Sequence, residues 1–204
     1  MSPVAMTNDI ADVSEALRGR KVLVTGGNGF IGGRLVERLL VECGARPRLI
    51  LRNYSKAARA ARFGLEQIEI VIGELADPDT LDAAVKDCAV VFHCAYDRAN
   101  LKANATGMEA LIQACINNGA RLVHVSTISV YEPLPDSDLD ESHAVVHSGI
   151  PYSETKIGVE EQVLEAEKNR GLDATVVMPT IVYGPYGKAW TLAPVSQMSS
   201  GTVL

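Results

Sequence analysis

Two groups of residues in this chain are typed and spaced for chemistry. The first is Tyr152-Ser-Glu-Thr-Lys156. In a helix, positions i and i+4 share a face, so the lysine ammonium lies beside the tyrosine hydroxyl. A free phenol is a poor base at neutral pH, but an adjacent cation stabilises its phenolate. Such a pair can move a proton on or off an alcohol or ketone oxygen. The second group is Lys21-Val-Leu-Val-Thr-Gly-Gly-Asn-Gly-Phe-Ile-Gly32. Gly26, Gly29 and Gly32 stand at spacings of three between an apolar run (22–24) and a helical pattern. That order suits a strand-turn-helix whose backbone approaches a pyrophosphate at the helix N-terminus, with Phe30 and Ile31 in its first turn.

A third group would hold the substrate oxygen. Ser126-Thr-Ile-Ser-Val-Tyr131 follows an apolar strand, and side chains after such a strand emerge at the carboxyl edge of a sheet. Thr127 is the expected hydroxyl donor, with Ser126 next; an ordinary hydroxyl-rich turn is the competing reading.

These groups need a scaffold, and the patterning supplies one. Apolar residues at helical spacing run from Ile31 to Cys43 and stop at Gly44. Strands are expected at 48–51, 68–72, 89–93, 122–126 and 174–178. Helices are expected at 55–63, from Pro78 to about 87, at 100–118 and at 152–170, with a polar loop over 132–151. Nearly continuous apolar strands alternating with helices define an α/β, doubly wound parallel sheet of the dinucleotide-binding (Rossmann) type, covered on both faces. There is no internal repeat. The organisation reads as an N-terminal arm or short helix (1–19) capped near Asn8, a Rossmann domain (20–186) and an aperiodic tail (187–204). No closing element is expected in that tail, so the C-terminal substrate domain is largely missing.

The end of the second strand sets the phosphate preference of such a fold, an acid there favouring NAD and an arginine accommodating the 2′-phosphate of NADP. About twenty residues after Gly32 the chain reads Arg52-Asn53 with no acid at hand, and Lys56 and Arg59 add positive charge. NADP is therefore the expected cofactor, with NAD the alternative. Glu74 and Leu75 are placed against the adenine, with a plain turn acid as the rival reading for Glu74. Cys94 and Ala95, small residues after the fourth strand, let the ribose and nicotinamide lie close. His93 and His124 read as packed, hydrogen-bonded strand residues.

Composition narrows the partners. Nineteen basic and twenty-five acidic residues give a net charge of −6, which argues against nucleic acid or an anionic membrane as partner. Cys43, Cys88, Cys94 and Cys115 lie in or beside apolar runs without metal-ligand spacing. They read as reduced core residues of a cytoplasmic protein, with no metal site. No segment reads as a secretory signal or a membrane span. The acidic loop (Asp136, Asp138, Asp140, Glu141, with His143 and His147) reads as a solvated turn, or as a cover over the substrate mouth.

Taken in order, the glycine motif, His93-x-Ala95, Asn104-Ala-Thr-Gly107, Ser126-Thr-x-x-Val-Tyr131, Tyr152-x-x-x-Lys156 and Pro179-Thr-Ile-Val-Tyr-Gly-Pro185 resemble the extended short-chain dehydrogenases/reductases, the NAD-dependent epimerase/dehydratase family. The resemblance spans about residues 20 to 186. It implies an NAD(P)-binding domain with Tyr152 as acid/base, Lys156 holding ribose and activating the tyrosine, and Thr127 orienting substrate. It also implies that Asn104 supports the active-site helix and that Pro179 to Val182 line the nicotinamide. Helices 100–118 and 152–170 pair into a homodimer bundle in this family, although core packing explains Val159, Val163 and Leu164 equally well. Where sugar-nucleotide dehydratases carry acids after the threonine, this chain has Ile128 and Ser129, which disfavours dehydration. The expected activity is hydride transfer at a secondary alcohol or ketone carbon of a small molecule, with sugar nucleotides preferred. An NADPH-dependent ketone reductase and a non-catalytic dinucleotide-binding module are the alternatives.

Overall fold

The computed structural model describes residues 9–57, 60–64, 66–136 and 138–201. Six parallel strands form one sheet in the order β3-β2-β1-β4-β5-β6. They are β1 (Lys21–Thr25), β2 (Arg46–Leu51), β3 (Glu69–Ile72), β4 (Cys88–His93), β5 (Arg121–Val125) and β6 (Ala174–Val177). The order reverses at β1, which lies between β2 and β4. In doubly wound sheets that reversal opens a crevice beyond the carboxyl ends of the strands.

Alternation along β1 builds the two layers. Val22 and Val24 pack with Val36 and Leu39 of α2 (Phe30–Val41) and with Leu17 of α1 (Asp9–Leu17). Leu23 points the other way, into a cluster with Leu81 of α3 (Pro78–Val85), Met108 and Leu111 of α4 (Leu101–Asn118), and Val159 and Val163 of α5 (Pro151–Arg170). Each fully buried leucine or valine contributes roughly 1.5–3 kcal/mol. A small third cluster places Ile157 of α5 against Val130 and Tyr131, which seats the turn after β5 on the helix carrying Tyr152.

Helix ends follow local chemistry. Asp77 caps α3 through the Asp79 amide, Asn100 caps α4 through the Ala103 amide, and Gly119 and Gly171 close α4 and α5 in left-handed conformations. Pro151 starts α5, one residue before the expected boundary.

Two expectations change. The helix expected over 55–63 appears instead as two short 3₁₀ turns, Tyr54–Lys56 and Ala60–Phe63. Alanine gives that stretch helical propensity but no apolar stripe to bury, and propensity without packing does not hold a short helix. The tail does carry regular structure: a π-type turn (Lys188–Leu192) runs into α6 (Ala193–Ser199), with Pro194 at its start. Trp190, Leu192, Val195 and Met198 there are all exposed, so no buried periodicity marked it. At the N-terminus α1 is helical over its described residues, while Asn8, the expected cap, lies outside them.

Candidate active site

Gly26 ends β1 with φ +66°, a conformation that glycine adopts without strain. A Cβ there would stand 2.8 Å from the Ala95 nitrogen, so glycine is also needed to let β1 and the segment after β4 approach. At Gly32 a Cβ would meet the Gly26 carbonyl oxygen, which lets α2 start directly over the turn. Gly29 is the helix N-cap, with no side-chain cap and no acid in the first turn. The result is a helix N-terminus aimed at a cradle of backbone, a geometry that receives phosphate.

That cradle opens into a cleft of ≈1020 Å³ at the carboxyl edge of the sheet. Gly26, Gly29, Phe30, Ile31 and Gly32 line it, as do Arg52, Glu74, Leu75, Cys94 and Ala95. At its other end stand Ser126, Tyr152 and Lys156. Thr127, Pro179 and Val182 do not line it; Thr127 is buried as the cap of the 3₁₀ turn Ile128–Tyr131, its oxygen accepting from the Ser129 amide. The Pro179 carbonyl accepts from the Ile128 amide instead, tying the segment after β6 to the same turn.

Lys156 is buried and donates to the Val125 carbonyl at 2.8 Å. Burial pulls its ammonium down to about 8, partly countered by Cys94 and Glu160, so it remains mostly protonated at pH 7. Tyr96, in the segment after β4, packs edge-on against Tyr152 at 5.2 Å between ring centroids. The Lys156 nitrogen lies 5.3 Å from the same Tyr96 ring, within cation–π reach. Ser126 donates its hydroxyl to the buried Glu160 carboxylate at 2.6 Å.

His93 is packed and hydrogen-bonded as expected, its Nδ1 lying 2.9 Å from the Thr25 hydroxyl. His124 is packed but differs: among the described residues neither ring nitrogen has a hydrogen-bond partner. The two rings stack with centroids 5.4 Å apart. Burial depresses both imidazoles, His93 to about 3, and holds them neutral.

Arg52, read from the sequence as having no acid at hand, has two acids beside it. It is ion-paired with Asp97 in the loop after β4, and Glu74 stands 4.0 Å away. Arg59 and the side chain of Lys56 lie outside the described residues. Asn104 fixes the Asp97 loop on α4, accepting from the Asp97 amide and donating to its carbonyl. Of Val159, Val163 and Leu164, the first two belong to the core and Leu164 is exposed. In the loop before α5, Asp140 holds Ser142 and His143, and His147 pairs with Glu154.

A strand-order reversal, a glycine cradle under a helix N-terminus and a cleft reaching a Tyr/Lys helix define a dinucleotide-binding fold of the short-chain dehydrogenase type. The model of the NAD dependent epimerase/dehydratase family matches residues 22–199. The chain belongs to that family. It is 34% identical to a 2-alkyl-3-oxoalkanoate reductase of Stenotrophomonas maltophilia over 178 residues, covering 81% of this chain and 52% of that protein. It is 28% identical to a dihydroflavonol 4-reductase of Zea mays, covering 81% of this chain and 53% of that protein. A dTDP-glucose 4,6-dehydratase of Streptomyces venezuelae, solved with NAD bound, superposes with a TM-score of 0.75 at 25% identity, over 90% of this chain and 63% of the other. The chain thus spans about half the length of the curated relatives it matches. Among the described residues, no helix is long and apolar enough to cross a membrane.

Proposed function

We propose that this chain binds the cofactor and holds the catalytic pair of an NAD(P)-dependent oxidoreductase or epimerase acting at a secondary alcohol or ketone carbon of a sugar nucleotide or a similar small molecule. The observation that carries this reading is one cleft joining the glycine cradle to Tyr152 and Lys156. The cradle fits a dinucleotide because the α2 N-terminus over the glycine turn carries neither a side-chain cap nor an acid in its first turn. Gly26, Gly29 and Gly32 would hold the pyrophosphate, Arg52, Glu74 and Leu75 the adenosine end, and Cys94, Ala95, Tyr152, Lys156, Pro179 and Val182 the nicotinamide half. The bound nicotinamide supplies a hydride acceptor or donor.

The chain's own residues handle the proton. Tyr152 takes it from the carbinol hydroxyl in oxidation and returns it to the carbonyl oxygen in reduction. Lys156, charged at pH 7, favours the phenolate electrostatically. The Thr127 oxygen accepts from Ser129, which leaves its proton to donate to the substrate oxygen; Ser126 supports that turn. NADP is the preferred cofactor on the strength of Arg52, with NAD the alternative. NADPH-dependent ketone reduction is the second reading, favoured by the reductase relatives. A homodimer through α4 and α5 belongs to the same proposal, as does the cytoplasm as the site of action.

Titrating the protein with NADPH and NADH by fluorescence, then adding a panel of sugar nucleotides and ketones, tests the reading. Tyr152→Phe should bind cofactor with nearly unchanged affinity and lose turnover. Retained turnover in that variant would remove Tyr152 from the chemistry, and cofactor binding without turnover across the panel would favour a non-catalytic module.

A further inference from the structure

Glu160 is a buried carboxylate to which the scheme above gives no task. It is 4% exposed, and its one hydrogen bond among the described residues comes from Ser126 at 2.6 Å. Burying a carboxylate is costly unless hydrogen bonds and opposite charge compensate it, and an apolar side chain could fill the space at lower cost. A carboxylate kept at this position therefore points to something its charge supplies.

The geometry shows what lies within its reach. Tyr152, Lys156 and Glu160 occupy i, i+4 and i+8 on α5, one ladder along a single helix face. Lys156 and Glu160 do not pair directly. Lys156 donates to the Val125 carbonyl and Glu160 accepts from Ser126, so two side chains one turn apart grip two consecutive residues at the end of β5. The next residue is Thr127. The lysine ammonium itself sits in a desolvated pocket that works against its charge.

We propose that Glu160 is a positioning residue of this site: its buried carboxylate pins Ser126, and so the Thr127 turn, to α5 and supplies the negative charge that keeps the Lys156 ammonium charged. This rests on the reading of Lys156 as the partner of Tyr152. Other titratable groups face the pair. Cys94, Tyr96 and His93 approach from β4 and the segment after it, His124 from β5, Tyr131 from the 3₁₀ turn, and Tyr152 and Glu161 from α5 itself. Of these, Glu160 is the buried carboxylate. Burial pushes it above the ordinary carboxylate range, while Ser126 and Lys156 draw it back.

Lysine ε-carbon NMR on the full chain tests this without cofactor or substrate, so its outcome is independent of whether turnover is ever found. The Lys156 signal is assigned by its loss in Lys156→Arg. In Glu160→Gln, which keeps an acceptor for Ser126, the Lys156 titration midpoint should fall by about one pH unit, the lower end of what a nearby opposite charge produces. Ser126→Ala, which leaves the charge in place, should not lower it. An unchanged midpoint in folded Glu160→Gln would overturn the proposal. Should that variant not fold, the wild-type protein decides: the Lys156 signal must show a second inflection at the midpoint of the Glu160 carboxyl carbon, and its absence would equally overturn it.

Discussion

Arg52, at the end of β2, is ion-paired with Asp97, in the loop after β4, and the pair spans the carboxyl end of β1 where the glycine turn begins. Asp97 is held for this by the Ala99 and Asn100 amides, which with Arg52 keep its carboxyl below the ordinary range. Arg52 is 62% exposed, so the pair itself adds little stability. On the proposed NADP reading its weight would fall on cofactor choice, because a bound 2′-phosphate would compete with Asp97 for one guanidinium.

Arg52→Gln should therefore weaken NADPH binding by about 10- to 100-fold, the loss expected for one or two charge-assisted hydrogen bonds, and leave NADH nearly unchanged. Asp97→Asn should move the preference the opposite way, toward NADPH. Parallel fluorescence titrations read both. Equal losses for the two cofactors in Arg52→Gln would mean that Arg52 does not read the 2′ position.

Gly26→Ala meets two obstacles, a positive φ and a Cβ within 3 Å of the Ala95 backbone. Backbone cannot yield as a side-chain tip can. A stability loss of about 1–3 kcal/mol in urea unfolding is expected, together with loss of dinucleotide binding. Binding that survived intact would show the cofactor does not approach this turn.

What could be read from the chain beforehand divides along the range of the interactions. The strands, the glycine turn and the helix starting at Pro78 depend on residues a few positions apart, and their order fixed the sheet. The stretch 55–63 misled because alanine propensity is local, whereas a helix of that length needs a surface to pack on. The partners of Arg52 and Ser126 lie 45 and 34 residues away in Asp97 and Glu160, and no local pattern announces such a pairing. For the same reason His124 looked like His93 in sequence. The Thr25 hydroxyl lies beside His93 and not beside its neighbour.

Arg48 illustrates a cation that is structural. It is 4% exposed on β2 and donates to the Ala84 and Lys86 carbonyls at the end of α3 and to Glu69, where helix carbonyls gather partial negative charge. Arg48→Met would orphan those carbonyls. A loss of roughly 2 kcal/mol in urea unfolding is expected, with cofactor affinity unchanged because the cleft lies at the other end of the strand. An effect on binding larger than that on stability would contradict this assignment.

The buried histidines set an acid limit on the fold. His93, held at about 3, and His124, depressed further, stay neutral in the folded protein, whereas in the unfolded chain an imidazole titrates near ~6.5. Below ~6.5 the unfolded state binds more protons, so stability falls as pH falls, by roughly 2 kcal/mol per histidine at about pH 5. His147, raised by Glu154, works in the opposite direction, but solvent screens that exposed pair. The acids held low at Asp77, Asp97 and Asp140 begin to count only at lower pH. His124→Leu removes a ring whose nitrogens have no partner, so it should flatten the loss between pH 7 and pH 5 by about half. Urea midpoints of both proteins at the two pH values measure this. An equally steep loss in the variant would mean that His124 finds a way to carry its proton inside the folded chain.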